Sequence, residues 1–418
     1  MLDRQTWRLA LALLALVAAA PPAAADPPGT VVEYPIRYPG LDPAEPSACH
    51  PAQPGSTHEI AFDPNGGRHL WITGQNYDQV VRVSEAGEMT FFPMPAGSGP
   101  HGIEFDADGR LWVSLEFSGH VVRLDEDGEI AQTIDVGLAC PTCPGGRLNP
   151  HPHGLGFGSD GRTIWFTGKS TGTVGRIAPD GTITTFPLPT IGSVPIYVRA
   201  GNDGTMWVTE LVGNKIARIT ADGAVAEFAI PTWNSRPIAI VPEPGSNAMW
   251  FSEEAGNRVA RIAPDGTIVE LPLPRTQANV IVAGLAFDAE GNLWVQQYVD
   301  QNAPTPAAPS PPGKDYVVRI GKEVLSAPPG DFSRVPITWY EVPTARTVMH
   351  RIVQGPDGNV WFTELAANQV GKLTIAPAGD RATLGGGPGT PRRRPAVAPP
   401  PTPGPPARRG TPAGRRPR

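Results

Sequence analysis

The stretch Pro100-His101-Gly102-Ile103-Glu104-Phe105-Asp106, followed by Asp108-Gly109 and then Leu111-Trp112-Val113, decides the fold because it recurs. Pro152-His153-Gly154-Leu155, Asp160-Gly161 and Ile164-Trp165-Phe166 repeat it closely, and further copies are built on Trp71, Trp207, Trp250, Trp294 and Trp361. Seven copies at a spacing of roughly 40–50 residues mark a propeller or solenoid, in which one unit cannot bury its apolar face alone. The typical copy runs from an apolar segment through an Asp-Gly turn to a Trp-bearing strand. A third strand of the Val-Val-Arg-Leu type, a second Asp-Gly turn and a fourth strand ending in Pro complete it. Short alternating strands joined by Asp-Gly turns are hairpin signals, and four of them make one propeller blade. The expected fold is therefore all-β, a seven-bladed β-propeller of four-stranded blades, with the seven Trp side chains packed between blades.

The last copy, around Trp361, has a third strand at Val370-Gly371-Lys372-Leu373-Thr374 and no fourth. Thr30-Val31-Val32-Glu33-Tyr34-Pro35-Ile36 resembles the missing strand, matching Val269-Glu270-Leu271-Pro272 in pattern. An N-terminal strand closing the last blade would remove an exposed sheet edge. Upstream, Arg4 and Arg8, the apolar run Leu9 to Val17 and the small residues ending Ala23-Ala24-Ala25 have the order of a secretory signal. The run is short for a bilayer span. The expected division is a signal at 1–25, a propeller at 26–375 and a Pro/Arg-rich tail at 376–418 that cannot bury enough surface to fold. The mature chain is expected to be secreted, or retained in the periplasm or cell envelope, without stable membrane insertion, and to be a monomer.

Formal charge is −6 overall, although the last 28 residues hold eight Arg and no acid. The propeller itself is thus more acidic than the total, and lacks the basic face that phosphate neutralisation needs; no nucleic-acid partner is expected. Two insertions break the repeat, Gly137 to His151 and the Pro/Ala-rich Gln301 to Lys314. The three cysteines, Cys49, Cys140 and Cys143, imply one disulfide in an oxidising compartment. The simplest pairing joins Cys49 to one of the other two; Cys140–Cys143 is the alternative.

The residue opening each first strand lies near the residue closing the second strand, on one face of the disc. Aligned on Trp, the opening position holds His58, His101, His153, Ile196, Ile238, Ala283 and His350. The four histidines fall on neighbouring blades once the ring closes. Three residues after Trp, several blades carry Glu (Glu210, Glu253, Glu364), whereas the second blade has Leu115 there and Glu116 one place later. Imidazoles with carboxylates close by suit general acid/base chemistry near neutral pH, or metal binding. His69, His120 and His151 fall off this pattern and read as surface residues.

Three segments carry a family resemblance: Pro-His-Gly-Ile/Leu, Trp361 to Leu373 (WFTELAANQVGKL) and Asp180 to Pro189 (DGTITTFPLP). They resemble the virginiamycin B lyase (streptogramin B lyase) family over about residues 31–375. The resemblance implies a seven-bladed propeller that opens an ester-closed cyclic depsipeptide by β-elimination. In that chemistry a His takes the proton alpha to the ester carbonyl, and Mg2+ held by Glu residues stabilises the enolate. Residue by residue it implies His101 as base, His58 and His153 as flanking catalytic groups, and Glu116 as a metal ligand. A second registration places His350 and Glu364 at the substrate. Where the family has its other metal-binding Glu, this chain has Gly99. Two other activities fit the same residues: a metal-free polysaccharide lyase or lactone hydrolase, and a non-enzymatic propeller that binds glycan or protein. The expected partner is a small molecule or an oligosaccharide.

Overall fold

Each of the seven repeat Trp residues lies on the second strand of a four-stranded antiparallel sheet, and seven such sheets form a propeller. The computed structural model describes residues 26–40, 55–276, 279–299 and 314–375. The expected signal at 1–25, the tail at 376–418, Cys49 and nearly all of the second insertion lie outside these residues. No described helix is long and apolar enough to cross a membrane.

We number the blades by their inner strands: blade 1 Thr57–Phe62, blade 2 Pro100–Phe105, blade 3 Pro152–Phe157 and blade 4 Pro195–Ala200. Blades 5, 6 and 7 begin with Pro237–Pro242, Val280–Phe287 and Met349–Gln354. Apolar clusters join neighbouring blades: Trp71 and Val80 of blade 1 pack with Ile103, Leu111 and Val113 of blade 2. Trp207, Trp250 and Trp361 are wholly buried, so the Trp set forms the core between blades.

Blade 7 takes its fourth strand from the N-terminus, Val31–Pro35 pairing antiparallel with Gln369–Leu373 from Val31↔Leu373 to Pro35↔Gln369. A side-chain latch shows that the graft is complete. Glu227 of blade 4 accepts the Thr190 N–H and hydroxyl at 2.7 and 2.6 Å, and Glu270 of blade 5 accepts those of Thr232 at 2.8 and 2.9 Å. Glu33 accepts the same two donors from Thr344 at 2.8 and 2.9 Å, across the two ends of the chain.

A second device ties the inner strands together. In most blades two inner-strand residues oppose one residue of the second strand; in blade 2, His101 and Gly102 lie opposite Ser114. Such a bulge interrupts the ladder and re-aims side chains. The side chain two places after Trp heals it. Ser114 accepts the Gly102 N–H at 2.8 Å and donates to the His153 carbonyl of blade 3 at 3.1 Å. Thr73, Thr167, Thr209 and Thr363 bridge their neighbours in the same way, and Gln296 substitutes in blade 6.

The first insertion folds into a short hairpin, Leu138–Ala139 against Arg147–Leu148. Its tip holds a Cys140–Cys143 disulfide with a Cα–Cα distance of 5.3 Å. The pairing through Cys49 therefore gives way to the local one, because the hairpin turn already holds the two near cysteines together.

Candidate functional site

His58, His101, His153 and His350 converge where the inner strands of blades 7, 1, 2 and 3 open into the central channel. Ring centroids are 3.7 Å apart for His101–His153, 5.0 Å for His58–His101 and 5.1 Å for His58–His350. His101 is the most enclosed, at 1% exposure, and His350 the least, with 16% of its side chain exposed.

Three of the rings are held by backbone carbonyls: His58 Nδ1 lies 2.7 Å from the Ser56 oxygen, His101 Nδ1 3.2 Å from His153 and His153 Nδ1 3.1 Å from Ile196. A ring nitrogen facing a carbonyl oxygen must carry the hydrogen. The neutral tautomer is thereby fixed, leaving Nε2 with a free lone pair. Burial, which disfavours the imidazolium, lowers the pKa of His58 to about 4. Burial holds His101, His153 and His350 well below the ordinary histidine range; crowding by the other imidazoles adds to it at His101, Lys169 at His153 and Arg351 at His350. At pH 7 the cluster is four uncharged bases.

Glu116 stands at its edge. One carboxylate oxygen accepts Gln75 Nε2 at 2.6 Å and the other accepts Lys169 Nζ at 3.1 Å. Gln75, Glu116 and Lys169 occupy one repeat position, four places after Trp71, Trp112 and Trp165, so three adjacent blades build one hydrogen-bonded row. Reading the repeats for Glu alone finds Glu116 and misses its two partners.

Below the histidines the channel is filled by residues one place further along the inner strands. Arg351 Nε donates to Glu59 Oε2 at 2.7 Å, and its guanidinium lies 4.4 Å from the centre of the Tyr197 ring. Deeper still, Arg199 pairs with Glu104 at 2.7 Å and donates to the Tyr197 hydroxyl at 2.6 Å. These five residues are further members of the site that the repeat alignment alone did not single out. Blades 2 and 3 carry Gly102 and Gly154 at that level, where a Cβ would stand 2.6 and 2.4 Å from the His153 and Ile196 carbonyl oxygens of the next blade.

Glu364 is elsewhere. It is wholly buried, and burial first and the Glu33 carboxylate next raise its pKa well above the ordinary range. Glu210 and Glu253 repeat this arrangement. Burial raises them to about 7 and about 8, with Glu227 and Glu270 of their own fourth strands adding to the effect. The position three after Trp thus faces the fourth strand, and the position four after Trp faces the channel mouth.

The residues fit Mg2+ poorly. That ion takes oxygen ligands in a near-ideal octahedron, and among the described residues Glu116 is the one carboxylate in the two groups whose ligand atoms converge, His58–His101–His350 and His101–Glu116–His153. Its charge is already balanced by Lys169. Gly99 supplies no second carboxylate, and its φ of +61° is shared by the residues at the same repeat position, His151, Val194, Arg236 and Val348, all at φ between +50° and +56°.

A model of the virginiamycin B lyase family matches residues 41–303. A virginiamycin B lyase of Nocardia farcinica (strain IFM 10152) is 30% identical over 176 residues, 42% of this chain and 53% of that protein. The chain thus spans about half the length of that curated relative. A solved streptogramin B lyase structure superposes with a TM-score of 0.65 at 23% identity, over 83% of this chain and 98% of the other. A catalytically inactive virginiamycin B lyase from Staphylococcus aureus, solved with quinupristin, gives 0.63 at 24% identity, over 83% and 99%. At such identities the structural likeness speaks for the fold. With the family match covering more than half of the chain, the protein belongs to the virginiamycin B lyase family.

Proposed function

We propose that this chain is an exported lyase that opens an ester-containing, cyclic depsipeptide-like substrate by β-elimination on the histidine face of the channel. One observation carries the reading: in a member of this family, four neutral histidines meet at one mouth, three of them with Nδ1–H tied back so that Nε2 is available. His101 at the centre takes the proton from the carbon next to the one that bears the ester oxygen, a carbon made acidic by its own carbonyl, and His58 and His153 flank it. His350, the least covered, meets the substrate first. As His101 is enclosed, substrate entry must part it from His153. Lys169, held by Glu116, offers a positive charge to the developing enolate where the family pattern calls for a metal ion. Electrons from the broken C–H bond form the new double bond as the ester oxygen departs with its pair.

The surroundings suit a bulky, partly apolar substrate. Of six large apolar side chains exposed among the described residues, five (Phe117, Leu148, Ile191, Val212 and Trp233) lie in the connections between strands on the histidine face, Leu148 in the small hairpin. The quinupristin found with the Staphylococcus aureus relative is the first substrate to try. The saturated Glu116 favours, as a second reading, a metal-free polysaccharide lyase or lactone hydrolase at the same residues. Incubating the mature chain with cyclic depsipeptides, acidic oligosaccharides and lactones separates these. Elimination leaves an unsaturated ultraviolet chromophore, whereas hydrolysis leaves a free hydroxyl. Absence of both products would leave a binding propeller and overturn the enzymatic reading.

A further inference from the structure

The geometry points to a site for a late first-row divalent cation, of the Zn2+ or Co2+ type, held by His58, His101 and His350 at the centre of the histidine cluster. The inference stands apart from the lyase reading, because it rests on the donor set and not on any substrate. The ligand atoms of these three side chains lie within 4.8 Å of one another. They come from the inner strands of three adjacent blades, which the hydroxyl bridges hold in fixed relation. Imidazole nitrogen suits zinc, cobalt and copper, whereas magnesium prefers oxygen. Three protein ligands leave a fourth position open, the arrangement of catalytic rather than structural zinc.

Two further observations support a ligand there. Metal-binding imidazoles regularly donate their other N–H to a backbone carbonyl or carboxylate, which fixes the ring and raises its basicity. His58 and His101 do so, to the Ser56 and His153 oxygens. Glu59, whose side chain is 5% exposed, aims an oxygen at the cluster: Oε1 has no hydrogen-bond partner and lies 3.9 Å from His350 Nε2, while Oε2 is held by Arg351. A buried carboxylate oxygen without a donor is costly. Water on the open position of a bound ion would supply that donor. The cations nearby do not repel the ion unopposed, since Arg351 is paired with Glu59 and Lys169 with Glu116. Zn–N bonds of about 2.0–2.1 Å need the rings to draw inward by roughly an ångström, within reach of side-chain rotation.

Occupancy would engage the Nε2 lone pair of His101. Proton abstraction would then pass to His153, whose ring is tilted against that of His101 with centroids 3.7 Å apart. The test uses the mature chain without an affinity tag, stripped with a chelator and titrated with Co2+ while visible absorbance is followed. Zn2+ and Mg2+ serve as competitors. One equivalent of Co2+ is expected to bind and to be displaced by Zn2+ but not by Mg2+. Zn2+ should raise the melting temperature. His350→Gln, at the most exposed ligand, should weaken binding by more than the roughly 10–100-fold that a supporting group costs, and His120→Ala should bind as the unaltered chain does. His101→Ala provides a second ligand deletion. Equal Co2+ affinity in the unaltered chain and in His350→Gln, or no signal from the unaltered chain with either metal, would overturn the site. If elimination is absent while stoichiometric, histidine-dependent binding is present, the lyase reading fails and the metal site stands.

Discussion

Blades 7, 1, 2 and 3 and blades 4, 5 and 6 share one structure and differ most plainly in the side chain that opens the inner strand. Both arcs have the inner-strand bulge, the bridging side chain after Trp and the buried Trp core. At the channel mouth, however, one arc presents His350, His58, His101 and His153, and the other presents Ile196, Ile238 and Ala283. Neither arc needs the histidines for folding, since the aliphatic arc closes without them. Four imidazoles buried and stripped of water are a cost that the scaffold does not require. That cost is the reason to place function on this arc.

The largest expected effect follows directly. His101→Ala should lower turnover by roughly 100- to 10,000-fold, the range for a general base, without lowering the melting temperature by much. Ile238→Ala, the matched change on the plain arc, should leave turnover nearly unaltered. Comparable losses from both would dissolve the distinction between the arcs. Next comes Lys169→Met, which removes the charge facing Glu116 but keeps the length of the stem. A fall in kcat of roughly 10- to 100-fold with KM little changed would fit a role confined to the transition state; an unaltered kcat would reduce Lys169 to a partner of Glu116.

A change in the shared scaffold should not distinguish the arcs. Thr73→Val and Thr209→Val each remove a hydroxyl that links a bulge N–H to the next blade's carbonyl. Leaving those groups unsatisfied should cost about 1–3 kcal/mol in each case, measured by denaturant unfolding. A large difference between the two would show that the histidine arc leans on its belt more heavily than the plain arc.

What the sequence discloses follows the same division. The seven repeats, the N-terminal closing strand and the histidine arc are legible because each is a fixed offset from a Trp, and a propeller turns offsets into places. The polar layer of Glu59, Arg351 and Tyr197 is not, because the bulge turns a second residue toward the channel and breaks the alternation by which strand faces are read. Lys169 and Gln75 escape notice because their repeat position shows its purpose only when three blades are laid side by side. Glu364 is drawn toward the site by its nearness along the chain to Leu365, which holds the position that faces the mouth. The Glu itself faces the fourth strand.

That misplacement leads to an expected effect on stability alone and none on turnover, and it belongs to the plain arc. Glu253 is held by burial at a pKa of about 8, with the Glu270 carboxylate adding to the shift. Its unfolded value is near 4.5, so between these limits the native state keeps a proton that the unfolded state has released. Stability must then fall as pH rises through that window, by up to about 1.4 kcal/mol per pH unit for one such group. Glu210, raised to about 7, adds to the fall over a narrower range. Glu253→Gln keeps a neutral N–H donor facing Glu270 and has no proton to lose. It should leave stability near pH 4.5 almost unchanged, flatten the decline above it and make the variant the more stable protein at pH 9. A wild-type stability that is flat or rising between pH 5 and 8 would show that the buried acid is already ionised in the native state.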